Sequence, residues 1–291
     1  MGVADVQPLQ RFTLFQTFRT VDILAEGRFQ HLQIFAGGKG LNQSIALARA
    51  GLSVYHAGLI GEDGEFLLET LKADGVDTRF VGRISGRGGH TVIQVDKNAQ
   101  NAILLFGGSN RAITPDYADG VLEHFSAGDL LLLQNEISAL PHIIDRAFER
   151  GMEIWLNPSP MDVGVLACDL NKISGFFLNE IEGEQLTGSD DPETILDRMA
   201  EKYPNAAVVL TLGENGARYA CGGTRTGCLA EKTAAADTTA AGDTFTGYFL
   251  RGMADGLSPD ASLRLAAKAA AITVSRPGAS PSIPKYDEVV H

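Results

Sequence analysis

Residues 236–249, ADTTAAGDTFTGYF, place an aspartate directly after two alanines and a glycine. Phe245, Tyr248, Phe249 and Met253 recur at helical spacing, which predicts a helix beginning near Asp243. Ala240, Ala241 and Gly242 leave the backbone N–H groups at that start uncovered by large side chains. Those amides, with the helix dipole, make a pocket for an anion. An aspartate there can take a proton from an alcohol while the amides stabilise charge on a phosphoryl group. The same residues also fit an N-cap aspartate after a tight turn, and this stretch alone leaves both open.

A second segment, AGGKGLN at 36–42, sets three glycines around Lys39 just before another helical pattern. Glycines there let backbone come close to a polar ligand. It is not a Walker A loop, because no Ser or Thr follows Lys39 and the G-x-x-x-x-G-K spacing is missing. Nor is it G-x-G-x-x-G, which weighs against a nucleotide-dependent dehydrogenase. Taken alone it also fits a plain turn.

The elements that must carry these segments alternate. Asn42–Ala50 and Glu65–Ala73 read as helices stopped by Gly51 and Gly75, with a strand over Ser53–Ile60 between them. Leu130–Leu133, Glu153–Leu156, Phe176–Leu178 and Ala207–Leu212 are short apolar runs that suit strands buried on both faces of a parallel sheet. Such a sheet binds ligands beyond the carboxyl ends of its strands. Thr91–Val95 and Ala102–Phe106 break the rhythm and predict a β-hairpin within a small accessory sheet.

At 291 residues the chain suits one large core with a minor appendage. Thirty-six acidic and 24 basic residues give a net charge of −12, which argues against nucleic acid or an anionic membrane as partner. A small phosphorylated ligand is still compatible, because backbone amides can hold it. Cys168, Cys221 and Cys228 have no zinc-like spacing and do not suggest a disulfide framework. With no apolar run near 18 residues and no secretory pattern at the start, a cytoplasmic protein is expected.

Together the motifs resemble the ribokinase-like (PfkB-type) carbohydrate kinases from about Phe35 to Pro284. GGKGLNQ resembles the family's sugar-binding signature, and DTTAAGDTF its C-terminal catalytic signature, about two hundred residues later. LNPSP at 156–160, FLNEIEGEQLTG at 177–188 and SRPGASPSIP at 275–284 are most similar to the ribose-phosphorylating branch. The resemblance implies a three-layer α-β-α core with a mainly parallel sheet and a small β-sheet lid. The implied division is residues 43–90 and 107–291 as core, with 12–42 and 91–106 as lid.

It also implies an ATP-dependent transfer to the primary hydroxyl of ribose or a similar pentose. Asp243 matches the family's base, and Ala240, Ala241 and Gly242 its anion hole. Gly38, Lys39, Gly40, Asn42 and Glu136 match sugar contacts. Asn179 and Glu182 match the N-x-x-E motif that orders Mg2+ through water. Thr211, Gly213, Glu214, Asn215 and Gly216 match the nucleotide loop. Asp237 and Ser282, with the carbonyls of Thr239, Thr273, Arg276 and Gly278, match a monovalent-cation shell, K+ in such enzymes. A homodimer through the lid is a further implication.

The first 35 residues depart from the family pattern. Its G-S-x-N-x-D motif is absent, and the sugar-gripping aspartate falls near Gln16, with Asp22 the nearest carboxylate. A glutamine can bond hydroxyls but lacks charge-assisted strength. Kinases for deoxyribose, fructose, a sugar acid or a nucleoside are the rival enzymes. A sugar- or nucleotide-binding homologue with impaired catalysis is the rival outside that class.

Overall fold

The computed structural model describes residues 11–15, 18–26, 28–95 and 101–291. Its strands are β1 (Phe12–Phe15), β2 (Phe18–Glu26), β3 (Arg28–Gly37), β4 (Val54–Ile60), β5 (Asp77–Arg83), β6 (His90–Val95) and β7 (Asn101–Phe106). They continue with β8 (Leu130–Gln134), β9 (Glu153–Asn157), β10 (Gly175–Asn179), β11 (Ala207–Thr211), β12 (Ala217–Cys221) and β13 (Thr224–Cys228). The helices are α1 (Lys39–Arg49), α2 (Glu65–Ala73), α3 (Pro115–Leu122), α4 (Leu140–Glu149) and α5 (Val163–Leu166). After these come α6 (Glu180–Thr187), α7 (Pro192–Lys202), α8 (Ala241–Ala254), α9 (Pro259–Val274) and α10 (Tyr286–Val290).

Nine strands among the described residues form one sheet, in the order β13-β12-β11-β10-β9-β8-β1-β4-β5. The seven from β11 to β5 in that order run parallel, and β12 and β13 close one edge antiparallel. The uniform leucine run of β8 serves both faces at once. Leu131 and Leu133 join a cluster with Ile143, Ile144 and Leu156, while Leu130 and Leu132 join Ile45, Leu14 and Phe249 on the other face. A period-two strand covered by helices on both sides requires apolar residues at every position. This is the three-layer core the sequence implied.

The second sheet has the order β3-β2-β6-β7, with β2 and β6 parallel and the other neighbours antiparallel. β6 and β7 form the expected hairpin, Thr91 facing Leu105 and Val92 facing Leu104.

The division expected between core and lid shifts at its N-terminal part. Residues 12–15 pair with both β4 and β8 in the large sheet, where Phe12 and Leu14 are fully buried. Lys39–Asn42 form the first turn of α1, with the Asn42 amide donating to the Gly38 carbonyl at 2.9 Å. The helix therefore starts three residues earlier than its apolar pattern suggests. Gly38 enters this turn at φ 94°, a conformation that glycine adopts without steric cost.

The meeting of α1 and α8 fixes the site. Gly247 of α8 sits so close to α1 that an added Cβ would fall 2.6 Å from Ala46 Cβ and 2.9 Å from the Ala46 carbonyl carbon. A glycine is required for this backbone approach. No helix among the described residues is long and apolar enough to cross a membrane.

Candidate active site

A cleft of about 460 Å3 opens at the carboxyl ends of the parallel strands. The start of α1 supplies Gly38, Lys39 and Asn42, and the segment after β8 supplies Glu136. The ends of β10 and β11 supply Asn179 and Thr211, α6 supplies Glu182, and the head of α8 supplies Ala240, Gly242 and Asp243, with Thr239 before it. Thr91 and Leu105 of the small sheet close the opposite wall. Segments far apart in sequence meet here because the parallel strands that precede them end at the same edge.

Asp243 is held from two sides by α1. Asn42 Nδ2 donates to its Oδ2 and Gln43 Nε2 to its Oδ1, each at 2.9 Å. Burial pushes the Asp243 carboxyl above the usual carboxylate range. The Asn42 bond, the Lys39 charge and the Gln43 bond pull the other way, and Glu136 adds to the rise. Lys39 Nζ lies 3.5 Å from Glu136 Oε1, so the two charges meet across the cleft.

The head of α8 differs in detail from the expected anion hole. Ala240 takes the left-handed conformation at φ 62°, which turns the chain sharply into the helix. The Ala241 amide donates to the Thr238 carbonyl at 3.3 Å, and the Thr244 amide to the Ala240 carbonyl at 2.8 Å. The amides that the helix geometry leaves without an intrahelical acceptor are therefore those of Gly242 and Asp243. At Gly242 an added Cβ would meet nothing within 4 Å, so its surroundings are open.

Asn179 and Glu182 form a capping box on α6. Glu182 accepts from the Asn179 amide at 2.8 Å and from its Nδ2 at 3.1 Å, and the Glu182 amide donates back to Asn179 Oδ1 at 2.9 Å. The pair thus starts a helix and faces the cleft at once. Replacing Asn179 with alanine is expected to lower unfolding free energy by about 1 kcal/mol, measured by chemical denaturation. It should also release one restraint on the Glu182 carboxylate.

Thr211 is the part of the expected nucleotide loop that lines the cleft. Gly213–Asn215 follow as an exposed short turn, and Gly216 at φ 89° packs an absent Cβ against the Cys228 carbonyl oxygen. Gly40 is buried in the first turn of α1, outside the lining.

Behind α8, Asp237 ties two segments together. Its Oδ1 accepts from the Thr239 amide and its Oδ2 from the Gly278 amide, both at 2.9 Å. Burial opposes its ionisation, but the Thr239 and Gly278 bonds outweigh it and hold the carboxyl below its usual range. Thr273 Oγ1 donates to Thr244 Oγ1 at 3.0 Å, and Ser282 Oγ to the Ala279 carbonyl at 2.6 Å. The Asp237 carboxylate is a hard oxygen donor of the kind a hard cation takes. Among the described residues no group of three His, Cys, Asp or Glu side chains could hold a metal, so a divalent ion at the cleft would depend on water and ligand oxygens.

Sequence reasoning does not single out Asn157, Ser159, Pro160 and Thr246 as lining residues, although the 156–160 block carries part of the resemblance. Gln43 belongs to the GGKGLNQ block, where it has no assigned role. Gln16 lies outside the described residues.

Residues 17–286 match the family described as pfkB family carbohydrate kinase. The chain is 36% identical over 271 residues to a ribokinase of Schizosaccharomyces pombe, covering 87% of this chain and 85% of that one. It is 32% identical over 261 residues to a ribokinase of Bacillus subtilis, covering 88% and 87%. Among solved structures, the ribokinase of Arabidopsis thaliana complexed with ribose and ATP superposes with a TM-score of 0.84 at 27% identity, covering 97% of each chain.

Proposed function

The chain belongs to the pfkB family of carbohydrate kinases, and from that premise we propose that it transfers the γ-phosphoryl group of ATP to the primary hydroxyl of ribose. The observation that carries this reading is the Asp243 carboxylate, fixed by Asn42 and Gln43 at the helix head that presents the Gly242 and Asp243 amides. In the reaction the hydroxyl oxygen attacks the γ-phosphorus, its proton passes to an Asp243 carboxylate oxygen, and the bond to the β-phosphate bridging oxygen breaks to release ADP. Asp243 is the base, and Ala240, Ala241 and Gly242 shape the turn that aims amides at the transferring group. An amide donor of this kind contributes about 3 kcal/mol of transition-state stabilisation.

Gly38, Lys39, Gly40, Asn42 and Glu136 would bind the sugar. The Asn42 side chain is suited to this: Nδ2 is committed to Asp243, while Oδ1 is buried with no donor among the described residues. A sugar hydroxyl could supply that donor. Thr211, Gly213, Glu214, Asn215 and Gly216 would receive the nucleotide. Asn179 and Glu182 would hold Mg2+ through water, and bound Mg2+ neutralises phosphate charge. Asp237, Ser282 and the carbonyls of Thr239, Thr273, Arg276 and Gly278 would hold K+, bracing the turn before α8. Exposed Ile34, Phe35, Leu104 and Phe106 on the small sheet favour pairing of two lids in a homodimer.

The test is ADP release with ribose, 2-deoxyribose, fructose and a nucleoside, with and without K+, and phosphorus NMR of the product. The expected result is a 5-phosphate of ribose formed with the highest kcat/KM. Binding of ribose and ATP with no turnover on any sugar would overturn the reading.

A further inference from the structure

Behind the Asp243 carboxylate the hydrogen bonding continues inward. Gln43 is completely buried on α1, and Gln134 is completely buried at the last position of β8. Gln134 Nε2 donates to Gln43 Oε1 at 2.5 Å, and Gln43 Nε2 donates to Asp243 Oδ1 at 2.9 Å. Neither glutamine lines the cleft.

The direction of this chain follows from chemistry. An ionised carboxylate can only accept, so Gln43 must turn its NH2 toward Asp243 and its oxygen away. Gln134 must then present its own NH2 to that oxygen. Its Oε1 is consequently left buried with no donor among the described residues. An unsatisfied buried acceptor is unfavourable, and an apolar side chain would fill this place among Leu130 and Leu132 without it. The arrangement gains nothing for packing, but it points every dipole at one carboxylate oxygen.

We propose that Gln134 and Gln43 form a one-way amide relay that orients the Asp243 carboxylate for proton acceptance, with Gln134 a positioning residue that acts through Gln43. The inference rests on Asp243 being the base. Asn42 grips Oδ2 and the relay grips Oδ1, so the carboxylate plane is fixed and each oxygen keeps one acceptor direction. The relay also favours the ionised form against burial. The other charged groups bearing on Asp243 are Lys39 from α1, which favours ionisation, and Glu136 from the segment after β8, which opposes it. Glu182 of α6 lines the same cleft.

The experiment is the pH profile of kcat/KM for ribose at saturating ATP in the full-length protein, for the parent, Gln134→Glu, Gln134→Met and Asp243→Asn. In Gln134→Glu the introduced carboxylate, once ionised, can only accept, so it competes with Asp243 for the Gln43 NH2 and adds a like charge behind it. The acid limb is then expected to move up by about one pH unit, with the KM for ribose unchanged. Gln134→Met removes the donor without adding a charge and should give a smaller move in the same direction. A purely structural role would lower the melting temperature of the uncharged Gln134→Met and leave its limb in place, and that result overturns the relay. If Gln134→Glu does not fold, Gln134→Met and Gln43→Met carry the same test. If Asp243→Asn is inactive while the limbs coincide, the relay alone fails; parental activity in Asp243→Asn overturns the base assignment and the relay together.

Discussion

Replacing Asp243 with asparagine is expected to lower kcat for ribose phosphorylation by about 10²- to 10⁴-fold, with KM values for ribose and ATP little changed. Asparagine keeps the shape of the side chain and its place at the head of α8 but cannot take the hydroxyl proton. Because the loss is confined to the transition state, kcat and kcat/KM should fall together. Steady-state kinetics with ribose and ATP check this, and parental turnover would exclude Asp243 as base.

The same variant carries a stability prediction whose sign follows from burial. Burial raises the Asp243 carboxyl above its unfolded value, which is about 3.9. Between the two values the folded state binds more protons than the unfolded state, so stability is full below the unfolded value and falls as pH rises through the window. Asparagine does not ionise. Whatever fixed offset the new amide introduces, the melting-temperature difference should move in favour of Asp243→Asn as pH is raised from below about 3.9 to neutrality. A difference that stays constant, or moves in favour of the parent, would contradict the raised carboxyl.

Replacing Gly247 with alanine is expected to destabilise the protein even though alanine is the better helix former. The gain in helix propensity is about 1 kcal/mol. Against it stands overpacking, typically about 1–3 kcal/mol, and here the added Cβ would lie 2.6 Å from Ala46 Cβ and 2.9 Å from backbone carbon. Backbone cannot yield as a flexible side chain would, so the steric cost wins. The readout extends to activity, because α1 carries Asn42 and Gln43 and α8 carries Asp243. Forcing the helices apart lengthens the two 2.9 Å bonds that hold the carboxylate. kcat should therefore fall at temperatures where the variant is still folded. Gly120→Ala is the control: Gly120 lies in α3, where an added Cβ meets nothing within 4 Å, so that change should stabilise by up to about 1 kcal/mol. Denaturant unfolding of both variants gives the comparison, and equal stabilisation by both would show that the α1–α8 approach is not tight.

By itself the sequence determined the local chemistry and the kind of architecture. The leucines of β8 declared a strand buried on both faces because a period-two element shows every residue to a helix layer. The spacing of Phe245, Tyr248 and Phe249 declared a helix, and the small residues before Asp243 declared uncovered amides at its head. The ordered motifs carried the family. Tertiary structure decided what those segments meet. Periodicity says which side of a helix is apolar but not which other helix lies against it, so the contact of Asn42 and Gln43 with Asp243, two hundred residues away, was invisible. Gln134 reads as the end of an apolar strand, and its amide gains significance only because the sheet places β8 beneath α1. Phe12–Phe15 is a short apolar run broken by a threonine, yet it pairs with a neighbour on each side in the sheet, and Phe12, Thr13 and Leu14 are fully buried. The helix start alone counts the Ala241 amide toward an anion site, while the turn through Thr238 claims it. In each case the deciding interaction depends on how the chain turns or packs, and a linear pattern encodes faces and ends without encoding their partners.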